Sequence, residues 1–334
     1  MDFIIKHRNL SPTTIKNYGR TLNKLFKELE SENISSFIYQ WQKALTHIKT
    51  LDVKKAYKMN QLNTYIVAID SFIKEGHNYK PYQDLDFALI ELRKFQSVLK
   101  VDLDVVKYSE TKTVSEDKNW VAWDDLQKVV KTNFKSISKL IKKTELDHKE
   151  VHQIQLWLIS QLYTTGAENP PCRLDFNNMI IISKEDYDRE NVPQQNYLVI
   201  TSLRTKHFIL NEYKTFKKFG TKTIKLSPVL NKAINTWQQL KSKIKGIHNN
   251  LLLFNNKQEA LSEPTLSKYI NEAFSPTGKK INANLIRHIF ITEIALHLPL
   301  AQRVIIADRM CHCLGTQLIY NKQYNDSGSD TDSN

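Results

Sequence analysis

The chain has 334 residues, 41% hydrophobic and 25% charged, which is enough apolar material for two folded cores and too much for a disordered chain. Lys and Arg number 48 against 35 Asp and Glu, a formal charge of +13, so the expected partner is a polyanion, with nucleic acid the commonest. Cys172, Cys311 and Cys313 are too few for a disulfide framework, the opening MDFIIKHRNLSPTT is too short in apolar residues for a signal peptide, and no apolar run reaches the roughly 20 residues that span a bilayer. An intracellular protein with no membrane contact is expected.

Residues 1–105 read as a helical domain. Ser11 as N-cap and Pro12 at the first helical position open a helix whose apolar face carries Ile15, Tyr18, Leu22, Leu25 and Phe26. Its other face carries Lys16, Arg20, Lys24 and Lys27, which reads either as an ordinary solvated surface or as a row of phosphate contacts. Further helices are expected at about 35–47, 60–75 and 84–99. The stretch VDLDVVKYSETKTVSEDKN, 101–119, is polar in its second half and shows no helical period, so a linker is placed at 106–119.

Residues 120–324 form the second expected domain. Helices at about 123–134 and 151–164 come first. The runs NMIIIS, NYLVITSL, HFILNEY and TKTIKLS are β-rich and separated by polar turns, which predicts a small antiparallel sheet. Helical pattern then returns in SPVLNKAINTWQQLKSKI, SEPTLSKYINEAF, NANLIRHIFITEIAL and the stretch ending at Tyr320, the last expected to follow a turn at Gly315. The closing NDSGSDTDSN, 325–334, has the composition of a disordered acidic tail. There is no internal repeat.

Arg173 lies just behind the proline pair of NPPCRLDF, where a buried helix ends and the chain turns inward. An unpaired guanidinium is too costly to keep there, so it must be paired or serve a ligand. Lys214 follows between two strands, Arg287 and His288 fall in a helix, and His312 precedes Tyr320 by eight residues. In this order the strings LYTTGAENPPCRLDF, NEYKTFKKFGTKTIKLS, ANLIRHIFITE and MCHCLGTQLIY resemble the tyrosine recombinase and phage integrase family over nearly the whole chain. The proline pair ahead of the first arginine is similar to that of integrases from large DNA viruses and virophages.

The resemblance implies a mainly α fold with a small antiparallel sheet in the catalytic domain, and two domains closing on double-stranded DNA as a C-shaped clamp. It also implies a homo-oligomer, a tetramer on two DNA sites, working in a nucleus, a cytoplasmic viral factory or a virion. The implied reaction attacks a phosphodiester with a tyrosine oxygen, leaving a 3′-phosphotyrosine and a free 5′ hydroxyl, and later reverses. Bond energy is retained, so no cofactor and no metal are implied. Tyr320 takes the role of nucleophile, with Tyr324 one helical turn further as its rival. Arg173 and Arg287 present planar donor forks to the non-bridging oxygens. Lys214 takes the role of general acid, with Lys206, Lys217 and Lys218 as competitors and backbone-phosphate contact as the plainer reading of all four. His312 bonds the scissile phosphate, or else is a core histidine satisfied by a backbone carbonyl.

The chain also departs from the family pattern. Asn284 stands three residues before Arg287, where a histidine or lysine is usual; it can donate to a phosphate oxygen and cannot accept the tyrosine proton. His288 reads as an orienting residue, and Asp175 follows Arg173 by two positions rather than three. Cys311, His312 and Cys313 lack the second ligand pair that zinc needs, and no Gly-rich nucleotide loop occurs. Two other functions share these features: a DNA-binding protein derived from such an enzyme without cleavage, and a strand transferase of the type IB topoisomerase or telomere-resolvase kind.

Overall fold

A computed structural model describes residues 2–8, 10–75, 82–109, 111–189 and 195–322. Tyr324 and the acidic stretch 325–334 lie outside the described residues. The chain divides into two compact units, 1–109 and 110–334.

Unit 1 is helical: α1 (Asp2–Lys6), α2 (Pro12–Glu28), α3 (Ile34–Tyr39), α4 (Trp41–Thr50), α5 (Lys55–Lys74) and α6 (Tyr82–Tyr108). Ser11 caps α2 by accepting from the Thr14 amide, with Leu22 and Leu25 buried and Lys16, Arg20, Lys24 and Lys27 exposed. The single helix expected at 35–47 is two helices broken at Gln40. Packing explains the break, because Phe37 and Ile38 before it and Trp41, Ala44 and Ile48 after it all enter one core. The Tyr65 hydroxyl donates to the Phe37 and Ile38 carbonyls at 2.7 and 3.2 Å, supplying partners to groups that the break leaves outside a helical ladder. Helix α6 runs nine residues past the expected end at 99, with Val101, Val105 and Val106 more than 60% exposed. That extension buries no apolar face, so periodicity carried no sign of it.

Unit 2 opens with α7 (Val114–Asn119), where Thr113 and Glu116 form a capping box; much of the stretch read as linker is therefore helical. Helices α8 (Trp123–Ile137) and α9 (His148–Thr164) follow, and α9 is buried on most sides through Ile154, Trp157, Leu158, Leu162 and Tyr163. Strands β1 (Ile180–Ser183), β2 (Tyr197–Ile200), β3 (Lys206–Leu210) and β4 (Lys222–Lys225) form one sheet in that order. Pairs β2–β3 and β3–β4 are antiparallel, as expected, but β1 lies parallel to β2, so the sheet is mixed. The reason is the connection 184–196, which contains α10 (Lys184–Arg189) and is long enough to carry the chain back to the same end before β2 begins. Leu198, Phe208, Leu210 and Ile224 face the main core, while Tyr197, Val199 and Ile209 gather on the opposite face.

After the sheet, whose β3–β4 connection contains α11 (Phe216–Phe219), come α12 (Pro228–Lys241), α13 (Glu263–Ala273), α14 (Ala283–Glu293), α15 (Leu300–Arg309) and α16 (Leu314–Tyr320). Ser227, Ser262 and Asn282 cap α12, α13 and α14 with their side chains. The chain is thus mainly helical with a small four-stranded sheet. No helix among the described residues is long and apolar enough to cross a membrane.

Candidate active site

The corner at Arg173 is built from below. Asn169, buried, donates to the Lys225 carbonyl at 3.0 Å and accepts from the Ser227 amide at 2.7 Å, which anchors the loop after α9 to the start of α12. Pro170, Pro171 and Cys172 continue it as buried chain. The Tyr163 hydroxyl donates to the Arg173 carbonyl, and Asp175 accepts from the Arg173 amide at 3.1 Å. Asp175 therefore orients the main chain at Arg173, and burial pushes its carboxyl up against the opposing pull of Arg287 and Arg173.

Arg287, fully buried on α14, ties this corner to the last turn of the chain. Its Nη1 donates to the Pro171 carbonyl at 2.7 Å, and Nη2 reaches the Met310 carbonyl only at 3.5 Å. Its Nε–H meets no hydrogen-bond partner. One edge of the guanidinium is thus committed to the fold, while the Nε and Nη2 edge, the geometry that grips an oxyanion in a fork, is nearly open. The guanidinium carbon lies 5.1 Å from the centre of the Tyr320 ring.

His312 follows α15 through a tight cap. Cys311 takes φ 57°, its amide bonds the Asp308 carbonyl at 3.0 Å, and the His312 amide bonds the Ala307 carbonyl at 3.1 Å. A glycine normally holds this position, and a side chain there costs about 1 kcal/mol. The expected turn at Gly315 is therefore at Cys311, and Gly315 is the second residue of α16. His312 Nδ1 donates to the Cys313 carbonyl at 3.1 Å, which leaves Nε2, buried and unpartnered, as the ring's open atom. Burial first and Arg287 second push its imidazole down to about 4, so the ring is neutral in the free protein at neutral pH. The backbone carbonyl expected for a core histidine is met by Nδ1, while Nε2 serves nothing in the fold.

Tyr320 ends α16 against this group. Its ring stacks on His312 at 5.7 Å and 19°, and lies 4.7 Å from the His288 ring. Burial pushes its phenol up, but the charges of Arg287 and Arg173 and their hydrogen bonding outweigh it, and the phenol sits below the usual tyrosine range. Arg173, Arg287, His312 and Tyr320 therefore converge.

Lys214 and Asn284 are placed differently. Lys214 is exposed on the β3–β4 connection and makes no hydrogen bond or ion pair among the described residues. Its neighbour Thr215 donates to the Cys311 carbonyl at 2.8 Å, which docks the connection beside His312. Lys206 is the buried lysine of β3, with its ammonium on Asn231 Oδ1 at 2.9 Å and Asn235 Oδ1 at 2.6 Å; it belongs to the fold. Lys217 and Lys218 are exposed. Asn284 is exposed on the first turn of α14, one turn before Arg287.

Supporting residues that the sequence did not single out include Tyr163 and Arg309. Arg309 donates to the Ala167 and Glu168 carbonyls at 3.3 and 3.0 Å, fixing the loop ahead of the prolines. An arginine in the last turn of a helix is the one sequence sign it offered. Among the described residues, no group of three or more His, Cys, Asp or Glu is placed to hold a metal.

The chain matches no family model and no curated protein. It is similar to a crystal structure of XerA recombinase, with 12% identity, 97% of this chain and 92% of that one covered, and a TM-score of 0.41. It is also similar to the XerH site-specific recombinase bound to a palindromic difH substrate in a post-cleavage complex, with 15% identity, coverage of 95% and 78%, and a TM-score of 0.46.

Proposed function

We propose that this protein is a site-specific DNA recombinase or integrase that breaks and rejoins strands through a 3′-phosphotyrosine on Tyr320. The observation that carries the reading is the pair of buried nitrogens without partners, Arg287 Nε and His312 Nε2, on two residues packed against one acidified tyrosine. A buried polar nitrogen left unpaired costs about 1–3 kcal/mol, so a bare donor on Arg287 and a bare ring nitrogen on His312, which becomes a donor on taking a proton, mark a place where an anion completes the structure.

In this reading the Tyr320 phenol gives its proton to neutral His312 Nε2, its oxygen attacks phosphorus, one new P–O bond forms, and the bond to the 5′ oxygen breaks. Lys214 delivers a proton to that leaving oxygen. Arg287 and Arg173 hold the non-bridging oxygens, and Asn284 adds a neutral donor from the first turn of α14. The bound phosphate favours the charged form of His312, whose Nε2 then donates to it. Rejoining runs the same steps backwards, so no step calls on a metal or a nucleotide. Exposed Lys16, Arg20 and Lys27 are assigned to the DNA backbone, and a homo-oligomer on two sites supplies the paired strands. Asn284, which cannot act as a base, supports one second reading, a protein that binds DNA without cutting it.

The test is covalent trapping on a pool of duplexes with randomised flanks, each nicked near its centre so that a short strand diffuses away after cleavage. A protein–DNA adduct that is lost in Tyr320→Phe supports the recombinase. Binding with no adduct in the parent favours the non-cleaving protein, and an adduct without exchange between two duplexes favours a topoisomerase-like strand transferase.

A further inference from the structure

Helix α16 has seven residues and fully buries only Gln317, with Tyr320 half-buried against the core, so length and apolar packing alone do not set where its main chain ends. Polar ties do. Gln317 donates to the Arg303 carbonyl at 3.0 Å, and the Tyr320 carbonyl, one of the unpaired acceptors at a helix C-terminus, accepts from His288 Nδ1 at 2.9 Å. A carbonyl can only accept, so this bond assigns the proton of neutral His288 to Nδ1. The Lys322 amide next donates to Thr292 Oγ1 at 3.0 Å, which holds the chain leaving α16 against α14.

The same patch is backed by the segment that precedes α8. Glu116 of α7 faces His288 Nε2 at 3.5 Å, and Lys322 Nζ donates to the Thr111 carbonyl at 3.2 Å. Trp120 Nε1 and the Trp123 amide both donate to Glu293, at 2.9 and 2.7 Å. Residues 111–123 are therefore laid along α14 at the level of Tyr320.

We infer that His288, backed by the 111–123 segment, is a positioning residue that sets the main chain of Tyr320 so that its phenol meets Arg287 and His312. The inference rests on the reading of Tyr320 as the nucleophile. His288 touches no reacting atom in it; its bond at 2.9 Å, shorter than the 3.5 Å contact from Thr292 Oγ1, stands in for the helical partner that the Tyr320 carbonyl lacks, and its ring, tilted at 46° against Tyr320, limits rotation of the phenol. A nucleophile displaced by about 1 Å loses on the order of 100-fold in rate, so a single main-chain bond has leverage here.

His288→Phe removes the donor and keeps a ring, while His288→Asn keeps an N–H where Nδ1 stood. On the nicked pool, His288→Phe should form adduct about 10- to 100-fold more slowly with unchanged duplex affinity, and His288→Asn should recover to within about threefold of the parent. Phenol titration of ring-labelled tyrosine by NMR, with Tyr320→Phe for assignment, gives a reading that needs no DNA. Tyr320 should titrate toward the ordinary tyrosine range in His288→Phe and stay where the parent has it in His288→Asn. An unchanged titration in a folded His288→Phe, or an asparagine variant no better than phenylalanine in that titration, overturns the positioning role. A parent that yields no adduct overturns the recombinase reading, and the titration still decides this one.

Discussion

Replacing Arg287 separates what the fold needs from what the chemistry needs. Its Nη1 bond to Pro171 is structural, whereas Nε has no partner and Nη2 only a long contact of 3.5 Å to the Met310 carbonyl, an edge that a phosphate could take over. Arg287→Met conserves most of the volume and removes a fully buried charge, leaving buried Asp175 with Arg173 as its remaining counter-charge and its carboxyl free to rise further. The loss to folding is then the Pro171 carbonyl left bare, about 1–3 kcal/mol, together with the weaker compensation of Asp175. Two charge-assisted bonds to the phosphate are lost as well, each worth about 1.5–3 kcal/mol, so adduct formation should slow by about 10² to 10⁴-fold. Arg287→Lys keeps the charge without the planar fork and should fall between parent and methionine variant. Single-turnover adduct formation on the nicked pool, with urea unfolding of each variant alongside, measures both quantities. Cleavage by a folded Arg287→Met within threefold of the parent would refute the assignment; a lysine variant equal to the parent would show that charge alone acts and the fork does not.

Tyr320→Phe should bind duplex DNA as the parent does and give no adduct; a surviving adduct would move the nucleophile elsewhere, with Tyr324 the first position to test. The two lysines should part company: Lys206→Met takes the ammonium from the Oδ1 atoms of Asn231 and Asn235 and should cost about 1–3 kcal/mol in urea unfolding, while Lys214→Ala should leave stability unchanged and slow strand cleavage by about 10² to 10⁴-fold. Asn284→Ala should slow adduct formation by about 10 to 10³-fold and Asn284→His should match or exceed the parent, so an alanine variant at full speed would remove Asn284 from the site. For His312, the unfolded ring takes a proton near 6.5 and the folded ring only near 4, so its contribution is whole above 6.5 and lost as pH falls to 4. Relative to His312→Asn, the parent should lose roughly 3 kcal/mol of unfolding free energy across that window, and equal pH profiles would show that the ring titrates normally.

Elements with a local signature were legible in the sequence. Ser11 with Pro12 and Ser262 with Pro264 open helices where they stand, because a side-chain cap and a fixed φ act within one turn. Strand runs were found for the same reason, but the parallel pairing of β1 depends on how a connection crosses, which no four-residue pattern encodes. The break at Gln40 answers to a core assembled from α3, α4 and α5, and Tyr65 reaches across 28 residues to seal it. The capping box Thr113–Glu116 was present as TVSE, yet the polar composition around it pointed to a linker. At the site, the order of Arg173, Lys214, Arg287, His312 and Tyr320 came through a family resemblance. The partition of Arg287 between Pro171 and an open edge, and the tie from His288 to the Tyr320 carbonyl, are tertiary facts that residue order does not contain.

The arrangement around Tyr320 also explains why the arginine must be buried. In water, a guanidinium 5.1 Å from a phenol ring would do little to its proton, since a high dielectric and salt weaken the field. Enclosed by Pro171, Met310 and the aromatic rings, the same charge acts at low effective dielectric on everything beside it. It lowers the phenol of Tyr320, adds to the burial that keeps His312 neutral and opposes the rise of Asp175, three effects of one sign from one source. A phosphate entering the open edge would cancel part of that field, so the proton that leaves Tyr320 becomes harder to remove as the substrate docks. The proton affinity of His312 rises as well, because the anion that relieves Arg287 also favours a proton on Nε2. In the proposed reaction His312 is neutral before the phosphate docks and a better acceptor once it has, so it can take the phenol proton that Asn284 cannot, which makes the absence of a base at Asn284 compatible with cleavage.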